Sequence, residues 1–175
     1  MTDSPGSGKI VTLEAAAAWR KAQAAAGRKV VFTNGCFDLV HRGHVDLFRA
    51  ARAEGDALVV GLNADESVRR LKGPSRPLVS ESDRAEVISA LEMVDRVLIF
   101  TEDTPARVID ALVPDVLVKG SDWGETAIVG RETVERAGGR VVRVRLSEGR
   151  STSALIRTVL ERCAAEGRAA NEEGS

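Results

Sequence analysis

The chain has 175 residues, 43% of them hydrophobic and 29% charged, which suits one soluble globular domain and leaves no room for two substantial ones. A formal net charge of −1 and only 3% aromatic residues tell against a nucleic-acid-binding module, which would use a basic field and stacking surface. The polar opening MTDSPGSGK is no signal peptide, no apolar run approaches the roughly 18 residues of a membrane span, and Cys36 and Cys163 are too isolated for a disulfide framework, so a cytoplasmic protein without membrane partners is expected.

Residues 1–9, rich in Ser, Gly and Pro, are expected to form a flexible tail ahead of one domain over residues 10–165. Thr12 can cap a helix through the helix formers of LEAAAAWRKAQAAA, which Gly27 ends. KVVFTN (29–34) reads as a buried strand, and the loop GCFDLVHRG leads into a helix reaching about Glu54. DALVVGLN (56–63) is a strand, residues 64–71 a short helix, and KGPSRPLVS (72–80) a Pro/Gly loop. SDRAEVISALEM (82–93) is a helix capped by Ser80 or Ser82. RVLIF (96–100) and DVLVKG (115–120) are strands, separated by a helix over 104–112 with Pro105 in its first turn. Residues 128–138 contain another helix, RVVRVRL (140–146) is the last strand, and 151–167 the closing helix, with a flexible C-terminal tail over 166–175.

Five short apolar strands alternating with helices predict an α/β fold: a Rossmann-like, parallel, five-stranded sheet with helices on both faces. In such sheets ligands bind beyond the carboxyl ends of the strands, where strand order reverses, so residues directly after strands matter most.

The richest stretch is Thr33-Asn34-Gly35-Cys36-Phe37-Asp38-Leu39-Val40-His41-Arg42-Gly43-His44, which leaves the first sheet strand and opens a helix. The chain's only two histidines stand three apart around Gly43, a spacing that sets both imidazoles on one side of a helix start. Together with helix N-terminal N–H groups, they would cradle a triphosphate. A zinc site of Cys36, His41 and His44 lacks an evident fourth ligand, and Cys36 lacks a His and acid pair that would make it a nucleophile.

With FTNGCFDLVHRGHV, GLNADESVRRLKGPSRP, SDRAEVISALEMVD, DVLVKGSDW and EGRSTSALI, the chain resembles the cytidylyltransferase-like nucleotidyltransferases over about residues 9–161. It is most similar to the stand-alone form of the branch that adenylylates D-glycero-β-D-manno-heptose 1-phosphate to ADP-heptose. The resemblance implies a Mg²⁺-dependent transfer of AMP from ATP to a sugar 1-phosphate, with pyrophosphate leaving and the Mg²⁺ carried mainly by the nucleotide phosphates. It implies catalytic roles for His41, His44 and Lys72 on the phosphates. Thr33, Asn34, Gly35, Cys36, Phe37, Lys119, Gly120, Ser151, Thr152 and Ser153 would bind the nucleotide. Asp38, Asn63, Arg76, Arg84 and Asp122 would face the substrate. For Asp38 a plain loop-capping role stands beside this one, and for Trp123 simple packing. The resemblance also implies a homodimer.

Two positions depart from the family pattern. Ser153 stands where relatives carry Thr and keeps the hydroxyl, and Arg150 stands where they carry a small or apolar residue. The alternative within the superfamily is a cytidylyltransferase acting on glycerol 3-phosphate or a similar polyol phosphate. Outside it stands a non-catalytic nucleotide sensor, against which His41, His44, Lys72 and Ser151 all speak. Neither a P-loop GxxxxGK[ST] nor a dinucleotide GxGxxG occurs in place.

Overall fold

The structure, a computed structural model, describes residues 8–120, 128–145 and 151–173. Among the described residues twelve elements follow one another: α1 (Leu13–Ala25), β1 (Val30–Gly35), α2 (Arg42–Arg52), β2 (Ala57–Asn63), α3 (Asp65–Lys72), α4 (Glu81–Ser89), β3 (Arg96–Phe100), α5 (Ala106–Leu112), β4 (Val116–Gly120), α6 (Arg131–Arg136), β5 (Arg140–Val144) and α7 (Thr152–Glu173). The strands form one sheet in the order β3-β2-β1-β4-β5, every neighbouring pair parallel. The expected α/β class is therefore observed, and strand order reverses between β1 and β4.

Period-2 alternation divides the core into two layers. Val31, Leu58, Val60, Leu62, Val97, Val116 and Val118 face α2 and α4, meeting Leu47, Phe48, Ala51, Ala85 and Ile88. Val30, Phe32, Val59, Leu98 and Leu117 face the other way, toward Ala16, Ile109, Leu112 and Val134 of α1, α5 and α6. α2 sits tightly because Gly43, Leu47, Phe48 and Ala51 fall on one helical stripe. Complete burial of Phe48 alone contributes about 1.5–3 kcal/mol of transfer free energy.

The amino edge of the sheet is stitched by carboxylates. Asp115 Oδ2 accepts from Val30 N at 2.8 Å while its Oδ1 pairs with Arg20 at 3.0 Å. Asp95 accepts from Leu58 N and Asp56 from Lys29 N, each at 2.8 Å. Each of these acids stands one residue ahead of a strand and satisfies an entry N–H of, or just before, the next strand over.

Several boundaries differ from the sequence expectation. Lys72 is the last residue of α3 rather than the first of a loop. α4 stops at Ser89, four residues early, and its cap is Ser80, whose Oγ accepts from Asp83 N. The closing helix runs on to Glu173, through residues expected to be tail. Lys9, placed in the N-terminal tail, already belongs to the fold: its carbonyl accepts from Val97 N at 2.9 Å and its Nζ donates to Leu91 O.

Candidate active site

The carboxyl ends of β1 and β4 create the opening the fold class calls for. β1 pairs with β2 as far as Gly35↔Leu62, and β4 with β5 as far as Gly120↔Val144. Between β1 and β4 the pairing ends at Phe32↔Leu117, so Thr33–Gly35 and Val118–Gly120 flank a cleft rather than a ladder. Across it the Lys119 ammonium donates to the Asn34 side-chain oxygen. Burial lowers the Lys119 pKa to about 8, because an ammonium loses hydration there.

On the α2 side, β1 passes through Gly35 into a loop whose Phe37 adopts a left-handed φ of 44°. The Phe37 ring stands edge-on to Phe48, centroids 4.9 Å apart, and edge-on to His44 at 5.1 Å. A Cβ on Gly35 would come within 3.0 Å of that ring, close enough that the ring would have to shift by tenths of an ångström. His41 is the N-cap of α2, its Nδ1 accepting from Gly43 N at 3.1 Å, which leaves the neutral ring's proton on Nε2. Part of the helix-end donor capacity expected for an anion is thus already used by His41 itself.

The two imidazoles stack, centroids 3.8 Å apart and planes 24° from parallel. Burial and the neighbouring His41 push the His44 pKa down to about 4, so His44 is neutral at physiological pH. Its Nδ1 is buried with no hydrogen-bond partner among the described residues, and so is Thr33 Oγ1 on the adjoining strand. Buried polar atoms left unpaired by their own fold are uncommon; besides these two, Arg20 Nε and Gln23 Oε1 of α1 share that state among the described residues, and of the four only the first two belong to the β1–α2 end of the sheet.

The remaining expected site residues divide between ligand-facing and scaffold positions. Arg84, expected to face the substrate, is fully buried with all three guanidinium nitrogens engaged inside the protein. Nε donates to Val79 O at 2.9 Å, Nη1 to Cys36 O, and Nη2 to Asn63 O at 3.0 Å and Asp65 Oδ1 at 2.7 Å. It ties the exits of β1 and β2 to the starts of α3 and α4. Asp38 is likewise an internal clamp: Oδ1 accepts from Leu78 N and Val79 N at 2.8 and 3.0 Å, and Oδ2 pairs with Arg76 Nε at 2.5 Å. Of its two expected roles, the loop-capping one fits these contacts, and Arg76 is held beside it. Asn63 Nδ2 donates to Ser67 Oγ at 3.0 Å, bracing α3.

Burial pushes the Cys36 thiol pKa up, against the opposing pull of Lys72, Arg84 and Arg76, which keeps it protonated and a poor nucleophile. Among the described residues no three His, Cys, Asp or Glu side chains gather into a metal site, Cys36, His41 and His44 included. Ser151 Oγ accepts from Ala154 N at 3.1 Å, an ordinary cap for α7, with Thr152 and Ser153 in the first turn. Lys72 is exposed and has no ion-pair partner among the described residues. Asp122, Trp123 and Arg150 lie outside them. Sequence reasoning missed the strand-entry acids, although DALVVGLN, DRVLIF and DVLVKG each print the signal as an Asp at the strand's threshold.

Comparison with known proteins settles the family. The cytidylyltransferase-like family model matches residues 32–158, from β1 into α7. The chain belongs to the cytidylyltransferase-like family. By that membership it is a nucleotidyltransferase. The chain is 57% identical to the bifunctional protein HldE of Citrifermentans bemidjiense over 134 residues, covering 77% of this chain and 28% of that protein. It is 54% identical to the bifunctional protein HldE of Gluconobacter oxydans over 157 residues, 90% of this chain and 33% of that protein. The chain thus spans about a third of the length of the curated relatives it matches. Among solved structures, a lipopolysaccharide core biosynthesis protein from Thermoplasma volcanium superposes with a TM-score of 0.57 at 30% identity, over 69% of this chain and 98% of that one. A pantoate-beta-alanine ligase from Francisella tularensis gives the same TM-score at 12% identity, which speaks to fold alone. Among the described residues, no helix is long and apolar enough to cross a membrane.

Proposed function

We propose that this domain transfers AMP from ATP to a sugar 1-phosphate, D-glycero-β-D-manno-heptose 1-phosphate in the first instance, forming ADP-heptose and pyrophosphate. The observation that carries this reading is the stacked His41–His44 pair at the start of α2, with the neutral, buried His44 unpaired at Nδ1. Kinship with the HldE proteins and with the lipopolysaccharide core biosynthesis protein supports the heptose branch over other acceptors.

In the reaction, a phosphate oxygen of the sugar phosphate attacks the α-phosphorus of ATP. The bond from that phosphorus to the bridging oxygen breaks, and pyrophosphate carries the electron pair away. The attacking oxygen is already anionic, so positioning and charge neutralisation supply the catalysis rather than a strong base. His41 and His44 donate to the phosphate oxygens. An imidazole kept neutral by burial and by its neighbour accepts a proton more readily once a triphosphate supplies the opposing charge. Lys72 adds a mobile cation from the end of α3, while Ser151, Thr152 and Ser153 offer hydroxyls at the start of α7. Mg²⁺, a hard cation that favours phosphate oxygens, enters with the nucleotide rather than in a protein cage.

The test is pyrophosphate release with Mg²⁺, crossing ATP and CTP against the β-heptose 1-phosphate and glycerol 3-phosphate. Turnover confined to ATP with the heptose phosphate is expected. Turnover confined to CTP with glycerol phosphate would replace donor and acceptor while keeping the site.

A further inference from the structure

A cavity of about 520 Å³ lies between the α3–α4 loop and the first turns of α7, within the size range of small-molecule sites. Lys72 and Arg76 line it from the loop side; Ser153, Ile156, Arg157 and Glu161 line it from the helix. Ser153, Arg157 and Glu161 are four residues apart, so one face of α7 presents a hydroxyl, a cation and a carboxylate on successive turns. Arg157 forms no ion pair with Glu161 or with any other described residue, and Lys72 opposite has none either. The cavity is thus bordered by two cations without a carboxylate partner among the described residues, Arg157 on the helix and Lys72 toward the nucleotide side, which favours an anion there.

The lining also says which anion. A polyphosphate is best held by cations and N–H groups alone, and a carboxylate on the wall repels it. A phosphorylated sugar has two unlike ends: a phosphate that wants cations, and hydroxyls that want acceptors such as Glu161 together with apolar surface such as Ile156. We infer that this cavity is the acceptor pocket, where Arg157 binds the phosphate of the sugar phosphate and Glu161 accepts from its hydroxyls. The inference rests on the reaction proposed above and adds to it a substrate-binding residue that no motif of the sequence singles out. α7 thus serves two substrates: its first turn the nucleotide, its next turns the acceptor.

The experiment is steady-state kinetics of the wild type, Arg157→Ala and Arg157→Lys, varying each substrate at saturating amounts of the other. Arg157 lies on an exposed helix face, where alanine and lysine both favour helix, so the variants fold. Arg157→Ala is expected to raise KM for the heptose 1-phosphate roughly 10- to 100-fold, the loss of a charge-assisted contact, with KM for ATP within about two-fold. Arg157→Lys is expected to recover most of that loss. A parallel rise in KM for ATP would reassign Arg157 to the triphosphate and overturn the inference, as would no change in either. A calorimetric titration of the same sugar phosphate into nucleotide-free protein separates this from the reaction itself. Binding by the wild type that is lost in Arg157→Ala upholds the pocket even if no nucleotide is transferred; equal binding by both, or none, overturns it.

Discussion

The two edges of the sheet hold polar groups of opposite kinds and treat them in opposite ways. At the amino edge Asp56, Asp95 and Asp115 each accept a backbone N–H at 2.8 Å, and Asp115 adds Arg20, so the charges are spent on the fold itself. At the carboxyl edge stand imidazoles and a lysine. There His44 Nδ1 and Thr33 Oγ1 are buried without partners among the described residues, and Lys119 has shed part of its affinity for a proton. The same parallel sheet produces both, because every strand runs the same way and every loop that can meet a ligand leaves from one side. What the contrast teaches is that the amino edge spends its carboxylates on strand entries, while the carboxyl edge keeps an imidazole and a hydroxyl open; lack of a partner is not confined to that edge, since Arg20 Nε and Gln23 Oε1 of α1 are also buried and unpaired among the described residues. Arg84 shows that the border is chemical rather than spatial: it lies at the working edge, yet its donors are consumed as thoroughly as those of the amino edge.

Three experiments break or sharpen that contrast. The largest effect is expected from His44→Ala, which should cut pyrophosphate release roughly 100- to 1,000-fold, as for loss of one transition-state donor. Its cost in stability should stay below about 2 kcal/mol, since His44 Nδ1 has no hydrogen-bond partner among the described residues. Near-normal turnover in this variant would remove the phosphate role from the imidazole pair.

Arg84→Met should behave in the opposite sense, as an amino-edge residue would. It strands Asp65 and three carbonyls, and a loss of about 3 kcal/mol is expected. That lowers Tm by roughly 6–12 °C in a chain of this size, readable in a thermal melt. A variant with unchanged Tm but a raised KM would return Arg84 to the substrate.

The smallest effect is in the pH dependence of stability. An unfolded chain binds a proton at His44 near pH 6.5, while the native site resists it down to about 4. Between those values the unfolded state holds the extra proton, so the native state loses stability as pH falls through that window and keeps it above. Melts of wild type and His44→Gln from pH 7.5 to 4.5 should show a steeper decline for the wild type; parallel slopes would mean that His44 titrates normally.

Much of this was legible in the sequence, and what escaped did so for a physical reason. The strands announced themselves through β-branched runs bounded by Gly and Asp, and the HxGH spacing located the imidazole pair. The residues whose place the sequence left undecided or misjudged are those whose partners are distant along the chain. Asp38 meets Leu78 and Val79 some 40 residues on, and Arg84 reaches back to Cys36 across 48. A basic side chain near a phosphate-binding motif looks the same in a sequence whether it points at the ligand or braces the loop that does. Arg157 was invisible for the reverse reason: one arginine on a charged helix carries no signal until the opposite wall of its cavity is known.

A single hydrogen atom holds the geometry of the imidazoles. Gly35 has no side chain, so the Phe37 ring can lie against its Cα, and against that ring rests the edge of His44. The chain in effect sets the His44 imidazole from beneath, through an aromatic spacer, from a glycine six positions before the HxGH stretch begins at His41. An engineer wishing to tilt His44 without altering it therefore has a handle at residue 35: a methyl group there lifts the spacer by tenths of an ångström, and the imidazole above must follow.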